Sequence, residues 1–396
     1  MTAMMPGAAT LAMIRRLVGF PTVSRDSNLE LIGFVRDYLA PLGAEVRLTH
    51  DDGGRKANLF ATFAARSGET RRGGVVLSGH TDVVPVDGQD WTADPFALVE
   101  RDGHLYGRGT SDMKGFLAIA LALVPELVGR GLERPLHLAL SYDEEVGCLG
   151  VGRMIEDLVR AGIRPESCIV GEPTLMKPVI AHKGKKSYRC TVHGFACHSA
   201  YAPQGVNALE YAAEAVAFLK AMACRKRTEG PFDHGFDVPH STVHTGVFHG
   251  GTALNIVPHE AGFVFEFRHL PGDDPDAMLA EFRQHVEERL LPEMRGVWAD
   301  SRIEIETLSV LPALDTGPER AVVGLAQELS GIDDFGKVSF GTEASQFQAG
   351  GIPTVVCGPG SIAQAHKADE YVAVDQVVAC ERFLRGLADR MCTRRG

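Results

Sequence analysis

The sequence predicts an α/β fold: a mixed, mostly parallel sheet covered by helices, interrupted by a smaller inserted α+β domain. Two observations carry this expectation. Short, nearly continuous apolar runs alternate with helical patterns toward both ends of the chain, as strands do when both sheet faces are buried. Between residues 186 and 309 the order changes to strand, helix, strand, strand, helix, strand, which is the ferredoxin-like unit. At 396 residues the chain is long enough for two cores, since a single core stops growing near ~250–300 residues.

Taken in order, residues 10–18 form the first expected helix. Its apolar stretch is broken by Arg15 and Arg16, and no lysine or arginine precedes it, so it reads as an amphipathic helix and not as a secretory leader. Residues 28–42 continue as helix. Strands are expected at 74–78 (GVVLS), 136–141 (LHLALS) and 167–170 (SCIV), with helices at 114–129 and 150–161 between them. The inserted unit holds the runs SYRCTVHG, STVHTGVF, GFVFEFRHL and RIEIETLSV as strands, with helices at 207–222 and 275–290. The run PTVVC at 353–357 returns the chain to the first domain. The expected division is therefore 1–185 with 309–396 for the outer domain and 186–308 for the insertion.

Composition narrows the function. Apolar residues make up 45% and charged residues 23%, ordinary globular proportions that exclude wholesale disorder. With 51 acidic and 40 basic residues the net charge is −11, which argues against a nucleic-acid partner. No window approaches the ~18 uninterrupted apolar residues of a membrane span. Eight scattered cysteines without a CxxC pair read as thiols of a reducing compartment, and cytoplasm is the expectation. No internal repeat is visible.

The polar residues that follow the strands carry the chemistry. His80 and Asp82 follow VVLSG, Asp112 lies in GRGTSDMKG, Glu144 and Glu145 end LHLALSYDEE, Glu172 follows CIVG, and His366 follows TVVCGPGSIAQA. The carboxyl edge of an open α/β sheet is where ligands bind. That many carboxylates on one rim would repel and partly protonate, and two divalent cations resolve the conflict. Imidazole and carboxylate donors without thiolate suit zinc, cobalt or manganese. His80 and Asp82, two apart on an extended chain, point to one side, so Asp82 can orient the His80 imidazole. Adjacent Glu144 and Glu145 point apart, so one can ligate a metal while the other acts as a base. HxD, EE and GxG are each commonplace; GRGTSDMKG lacks the rest of a dinucleotide fingerprint, and neither HExxH nor GxSxG occurs. Only the joint arrangement is specific.

The runs GHTDVVPVD, YGRGTSDMKG, DEEVG, IVGEPT, GFACHSA, GGTALNIVP and FRHLPG resemble the acetylornithine deacetylase / succinyl-diaminopimelate desuccinylase family, in the same order and over nearly the whole chain. The resemblance implies a di-zinc exopeptidase-like fold with an inserted lid domain that forms a homodimer. It implies two divalent metals, zinc first and cobalt as an alternative: His80 and Glu172 on one, Glu145 and His366 on the other, Asp112 bridging. It further implies a cis Asp112–Met113 peptide, Glu144 as general acid/base, Asp82 behind His80, and His198 as a lid histidine reaching the partner subunit's site. Arg268 and Asn255 resemble residues that hold the substrate carboxylate or the oxyanion, and Lys183 and Thr342 resemble pocket-lining positions. Glu343 is expected, by its charge, to meet a substrate ammonium. Within the family, AHKG, GTEASQF and GPGSIAQAHKADEYV resemble the members that release acetate and L-ornithine from N2-acetyl-L-ornithine in arginine biosynthesis. Other N-acyl amino acids, among them acetylcitrulline, acetylmethionine and succinyl-diaminopimelate, stay open as substrates.

Overall fold

The computed structural model describes residues 5–392; residues 1–4 and 393–396, at the two ends of the expected outer domain, lie outside that range. Within the described residues the chain packs into two units, one of 5–181, Leu314–Lys337 and 342–392, the other of His182–Ala313 and Val338–Gly341.

In chain order the first unit supplies β1 (Glu45–His50), β2 (Ala57–Phe63), β3 (Val75–His80), β4 (Val99–Arg101), β5 (His104–Tyr106), β6 (Leu136–Ser141), β7 (Ser167–Pro173) and β8 (Val179–His182). The second unit follows with β9 (Gly184–His193), β10 (Thr242–Gly250), β11 (Glu260–His269) and β12 (Arg302–Leu311). The chain then returns with β13 (Leu314–Asp315), β14 (Gly336–Val338), β15 (Thr354–Gly358) and β16 (Tyr371–Ala373).

Nine strands form the main sheet in the order β1-β2-β6-β3-β7-β15-β8-β13, with β14 on β8. The centre, β6-β3-β7-β15, pairs in parallel, with β2 antiparallel on one side of it and β8 antiparallel on the other. Every residue of β3, β6, β7 and β15 is buried, which is why these strands read as continuous apolar runs instead of alternating ones. Helix Lys114–Gly129 is apolar nearly all round and packs against β3, β7 and the helices Ala8–Val18 and Val374–Met391. The parallel centre has a direct consequence for function. His80 is level with Ser141, and Ser78 with Val170, so the segments leaving these strands emerge on one edge.

The second unit pairs its strands antiparallel in the order β10-β11-β9-β12, the ferredoxin-like order read from its other end. Tyr188, Cys190 and Val192 on β9 and Phe263, Phe265 and Phe267 on β11 recur every second residue, so all six point to one face. Helix Ala208–Glu229 covers that face with Ala208, Ala212, Ala215, Leu219 and Met222, spaced three and four apart. No described helix is long and apolar enough to cross a membrane, and the eight cysteines are unpaired.

Gly171, one residue before Glu172, shows how tightly the sheet edge is built: a Cβ there would lie 2.0 Å from the Phe116 ring. Gly171→Ala should therefore cost roughly 1–3 kcal/mol by overpacking, read as a lower denaturant midpoint at unchanged slope.

Candidate metal centre

His80 is the last residue of β3 and is fully buried. Its Nε2 lies 2.9 Å from Asp112 Oδ1 and 3.7 Å from Glu172 Oε1. Asp112 comes from the turn leading into helix Lys114–Gly129, across a cis Asp112–Met113 peptide. Its other oxygen, Oδ2, lies 3.4 Å from His366 Nε2, and the same His366 nitrogen lies 2.9 Å from Glu145 Oε2. Two donor groups result, His80–Asp112–Glu172 and Asp112–Glu145–His366, each compact enough to hold one ion. Asp112 belongs to both and offers one oxygen to each histidine. The first group is buried throughout, whereas the His366 side chain is 54% exposed, so the second group opens to solvent. His366 and Asp143 both have left-handed backbone, φ 64° and 56°, conformations that non-glycine residues hold only where the surroundings impose them.

The electrostatics show what this cluster calls for. Burial pushes the Glu144 carboxyl up to about 8, and raises Glu145 and Glu172 as well, with repulsion from Asp112 adding to both. Hydrogen bonds to Asp112 and then Glu145 push His366 up to about 10. For His80, burial opposes the proton, but Asp112 and Glu172 overcome it and raise the imidazole well above its usual range. At Asp112 burial again opposes charge, and the two histidines outweigh it and hold the carboxyl below the usual carboxylate range. The cluster recruits protons as its counter-charge. Divalent cations supply that charge through the same lone pairs, and the donors, imidazole and carboxylate without thiolate, fit them.

Asp82 requires a correction. The expectation was that its carboxylate orients His80, but His80 Nδ1 is 2.8 Å from the Asp82 backbone carbonyl and 3.7 Å from its carboxylate. The carboxylate instead accepts the backbone N–H of Glu144 (3.1 Å) and Glu145 (3.3 Å) and the Ser24 hydroxyl (2.7 Å). β6 stops at Ser141, so the two glutamates ride on a turn and not on the strand end. Asp82 thus sets the turn that aims Glu145 at His366 and leaves Glu144 outside both donor groups, where its Oε1 takes the Cys148 S–H. Sequence reading missed Ser24 and Cys148, since a lone serine or cysteine carries no spacing signal.

Glu343 also departs from expectation. It is fully buried, and its two oxygens accept the hydroxyls of Ser78 (2.6 Å) and Ser141 (2.5 Å). A carboxylate committed to two buried hydroxyls is not available to a substrate ammonium. Thr342 is buried beside it, and its hydroxyl accepts the Ala344 N–H at the start of helix Ala344–Ala349. Lys183, His198, Asn255 and Arg268 belong to the second unit. There His198 is exposed and caps the 3-10 turn Ser199–Gln204 by accepting the Ala200 N–H. The next residue's N–H bonds the Asn255 carbonyl, so His198 and Asn255 sit on adjoining strips of chain. Arg268 Nε donates to Glu266 (2.8 Å), and Lys183 Nζ to the His240 carbonyl (2.6 Å).

A sheet edge that gathers two imidazole–carboxylate groups around one shared aspartate marks the protein as a metal-dependent hydrolase. Residues 76–390 match peptidase family M20/M25/M40, and the chain belongs to that family. It is 34% identical to the acetylornithine deacetylase of Pasteurella multocida over 97% of this chain and 98% of that one. It is 37% identical to the acetylornithine deacetylase of Myxococcus xanthus, again over 97% and 98%. Among solved structures, the M20 family metallo-carboxypeptidase of Sulfolobus solfataricus superposes with a TM-score of 0.76 at 18% identity, over 96% of this chain and 99% of that one.

The raised groups fix a pH dependence for metal-free protein. Unfolded, Glu144 releases its proton near 4.5 and His366 near 6.5, whereas folded they hold on to about 8 and about 10. The folded state binds more protons in this interval, so its stability falls as pH rises. Metal-free protein should show a lower denaturant midpoint at pH 9 than at pH 5.5, and saturating zinc should flatten the difference.

Proposed function

We propose that the protein hydrolyses the N-acetyl amide of N2-acetyl-L-ornithine to L-ornithine and acetate. The observation that carries the chemistry is Asp112 shared between two donor groups, with Glu144, part of neither, buried within the field of His80, Glu145 and Asp112. The substrate rests on the names of the relatives, acetylornithine deacetylases at 34% and 37% identity over almost the full chain.

In this reading His80 and Glu172 hold one ion, Glu145 and His366 the other, and Asp112 both; zinc is the first choice and cobalt the alternative. When bound, two such ions polarise the acetyl carbonyl and make a water acidic near neutrality. Glu144 takes the proton of the attacking water and returns it to the amide nitrogen as the C–N bond breaks, base first and acid second. Burial suits it to that exchange, because a carboxylate with a raised pKa both accepts and gives up a proton near neutral pH. Asp82 keeps the Glu144–Glu145 turn in place. Arg268 and Asn255 hold the substrate carboxylate, Arg268 through its planar fork, and Lys183 and Thr342 line the pocket. His198 donates to the oxyanion of the partner subunit's substrate.

The second unit serves as the lid and the dimer contact. β10 is an edge strand with Val247 and Phe248 exposed, and Leu254 beyond it is wholly exposed; apolar side chains along a free edge favour pairing with a second copy. The eight unpaired cysteines are in keeping with a cytoplasmic enzyme.

Glu144→Ala should lose ~10²–10⁴-fold in turnover while binding two equivalents of metal, checked by metal analysis beside the assay. Chelation should abolish acetate release and added zinc or cobalt restore it. Supplied side by side, N-acetylornithine should give the highest kcat/KM. A preference for N-acetylcitrulline, N-acetylmethionine or succinyl-diaminopimelate would move the assignment to another N-acyl amino acid within the same chemistry.

A further inference from the structure

Behind the centre lies a polar network that the chemistry above does not use. Glu370 is buried, and its Oε1 accepts three backbone N–H groups: Gly109 at 3.1 Å, Ser111 at 2.9 Å and Asp112 at 3.0 Å. Its Oε2 takes a 2.7 Å bond from Nη1 of Arg108, which is equally buried. Arg108 Nη1 also reaches the Lys367 carbonyl at 3.3 Å, and Nη2 donates to Gln89 Oε1 at 2.6 Å. Gln89 in turn donates to the His366 carbonyl at 2.9 Å. Trp91 closes the arrangement, donating to Gln89 Oε1 and lying 5.0 Å beneath the Arg108 guanidinium.

We propose that Glu370, Arg108 and Gln89 are positioning residues that fix the separation between the shared carboxylate and the solvent-facing metal ligand. Glu370 gathers the backbone that carries Asp112, and Arg108 with Gln89 ties the backbone that carries His366 to the same anchor. Both attachments are to main chain, so they set where each ligand begins without competing for its lone pairs. Stability alone is a poor reason for such a pair, because replacing a buried ion pair with apolar groups is often neutral or stabilising. What the network secures is geometry. His366 is the exposed ligand, on a loop with left-handed backbone at His366 and Asp369, and is the ligand most in need of an outside restraint.

The inference rests on the two-metal reading, and its test separates the two. Metal-free wild-type protein, Glu370→Gln and Gln89→Ala are titrated with cobalt, following binding heat and the visible cobalt spectrum, with the unfolding midpoint of each metal-free protein measured alongside. Gln89 is only half-buried, so its alanine variant should fold. Gln89→Ala should weaken the second equivalent by about 10–100-fold, the usual effect of losing an outer partner, and alter its spectrum, leaving the first equivalent and the metal-free midpoint near wild type. Glu370→Gln, which sets an amide N–H against Arg108, should weaken both equivalents; if it does not fold, Gln89→Ala decides alone. Wild-type affinities and spectra in a folded Gln89→Ala would overturn the inference while leaving two-metal binding intact. Fewer than two equivalents in the wild type would remove the underlying reading and this inference with it.

Discussion

Like charges in a confined space are the condition around which the catalytic edge is organised. Asp112 shares its two oxygens between His80 and His366, with Glu145 and Glu172 completing the groups and Asp82 and Glu144 close behind. Left to itself such a set is a liability, since burial and repulsion drive its carboxyls toward the protonated form. The fold contains it in two ways. The central parallel strands hold His80 and Glu172 at fixed, buried positions, and backbone N–H groups are spent on Asp82 and Glu370, acids that bind no metal in the proposed reading.

Much of this was legible from residue order. Strand 136–141 and helix 114–129 were read at the boundaries observed, because a fully buried strand and a central helix both leave continuous apolar runs. The strand–helix order of the insertion gave its ferredoxin-like pairing, since alternation on β9 and β11 marks one covered face. β1 and β2 escaped notice for opposite reasons. β1 (EVRLTH) is an edge strand with no fully buried residue and thus no apolar run. β2 (ANLFATF) is buried throughout but contains an asparagine and a threonine; Asn58 spends its amide on the Gly150 carbonyl, a partnership that sequence cannot announce. The four apolar runs read as strands of the outer domain are the four that pair in parallel at the centre of the sheet.

At the metal centre the gathering of imidazoles and carboxylates followed from residue type and strand position, and their division into two groups from the family resemblance, whereas the supporting contacts did not follow from either. Asp82 lies two residues from His80, and spacing alone suggested a carboxylate–imidazole contact. In the folded chain a backbone carbonyl takes that place and frees the carboxylate for the glutamate turn. Glu343 illustrates the same limit. Its charge suggested a cationic ligand, yet two serines on neighbouring strands, Ser78 and Ser141, claim it. Which acid meets a ligand and which meets its own scaffold is decided by contacts across long stretches of sequence.

The order in which the main sheet is threaded bears on how the molecule is made. β15 lies between β7 and β8, yet the chain reaches it only after the whole of the second unit has been laid down. On a ribosome, the insertion is therefore complete while the larger sheet still has an open slot in its middle, flanked by two exposed strand edges. His366 emerges later still. Nascent chains must keep that slot free of other strands until β15 arrives near the end of the protein, so truncated products would be prone to sticking to one another and would lack His366, one donor of the solvent-facing group.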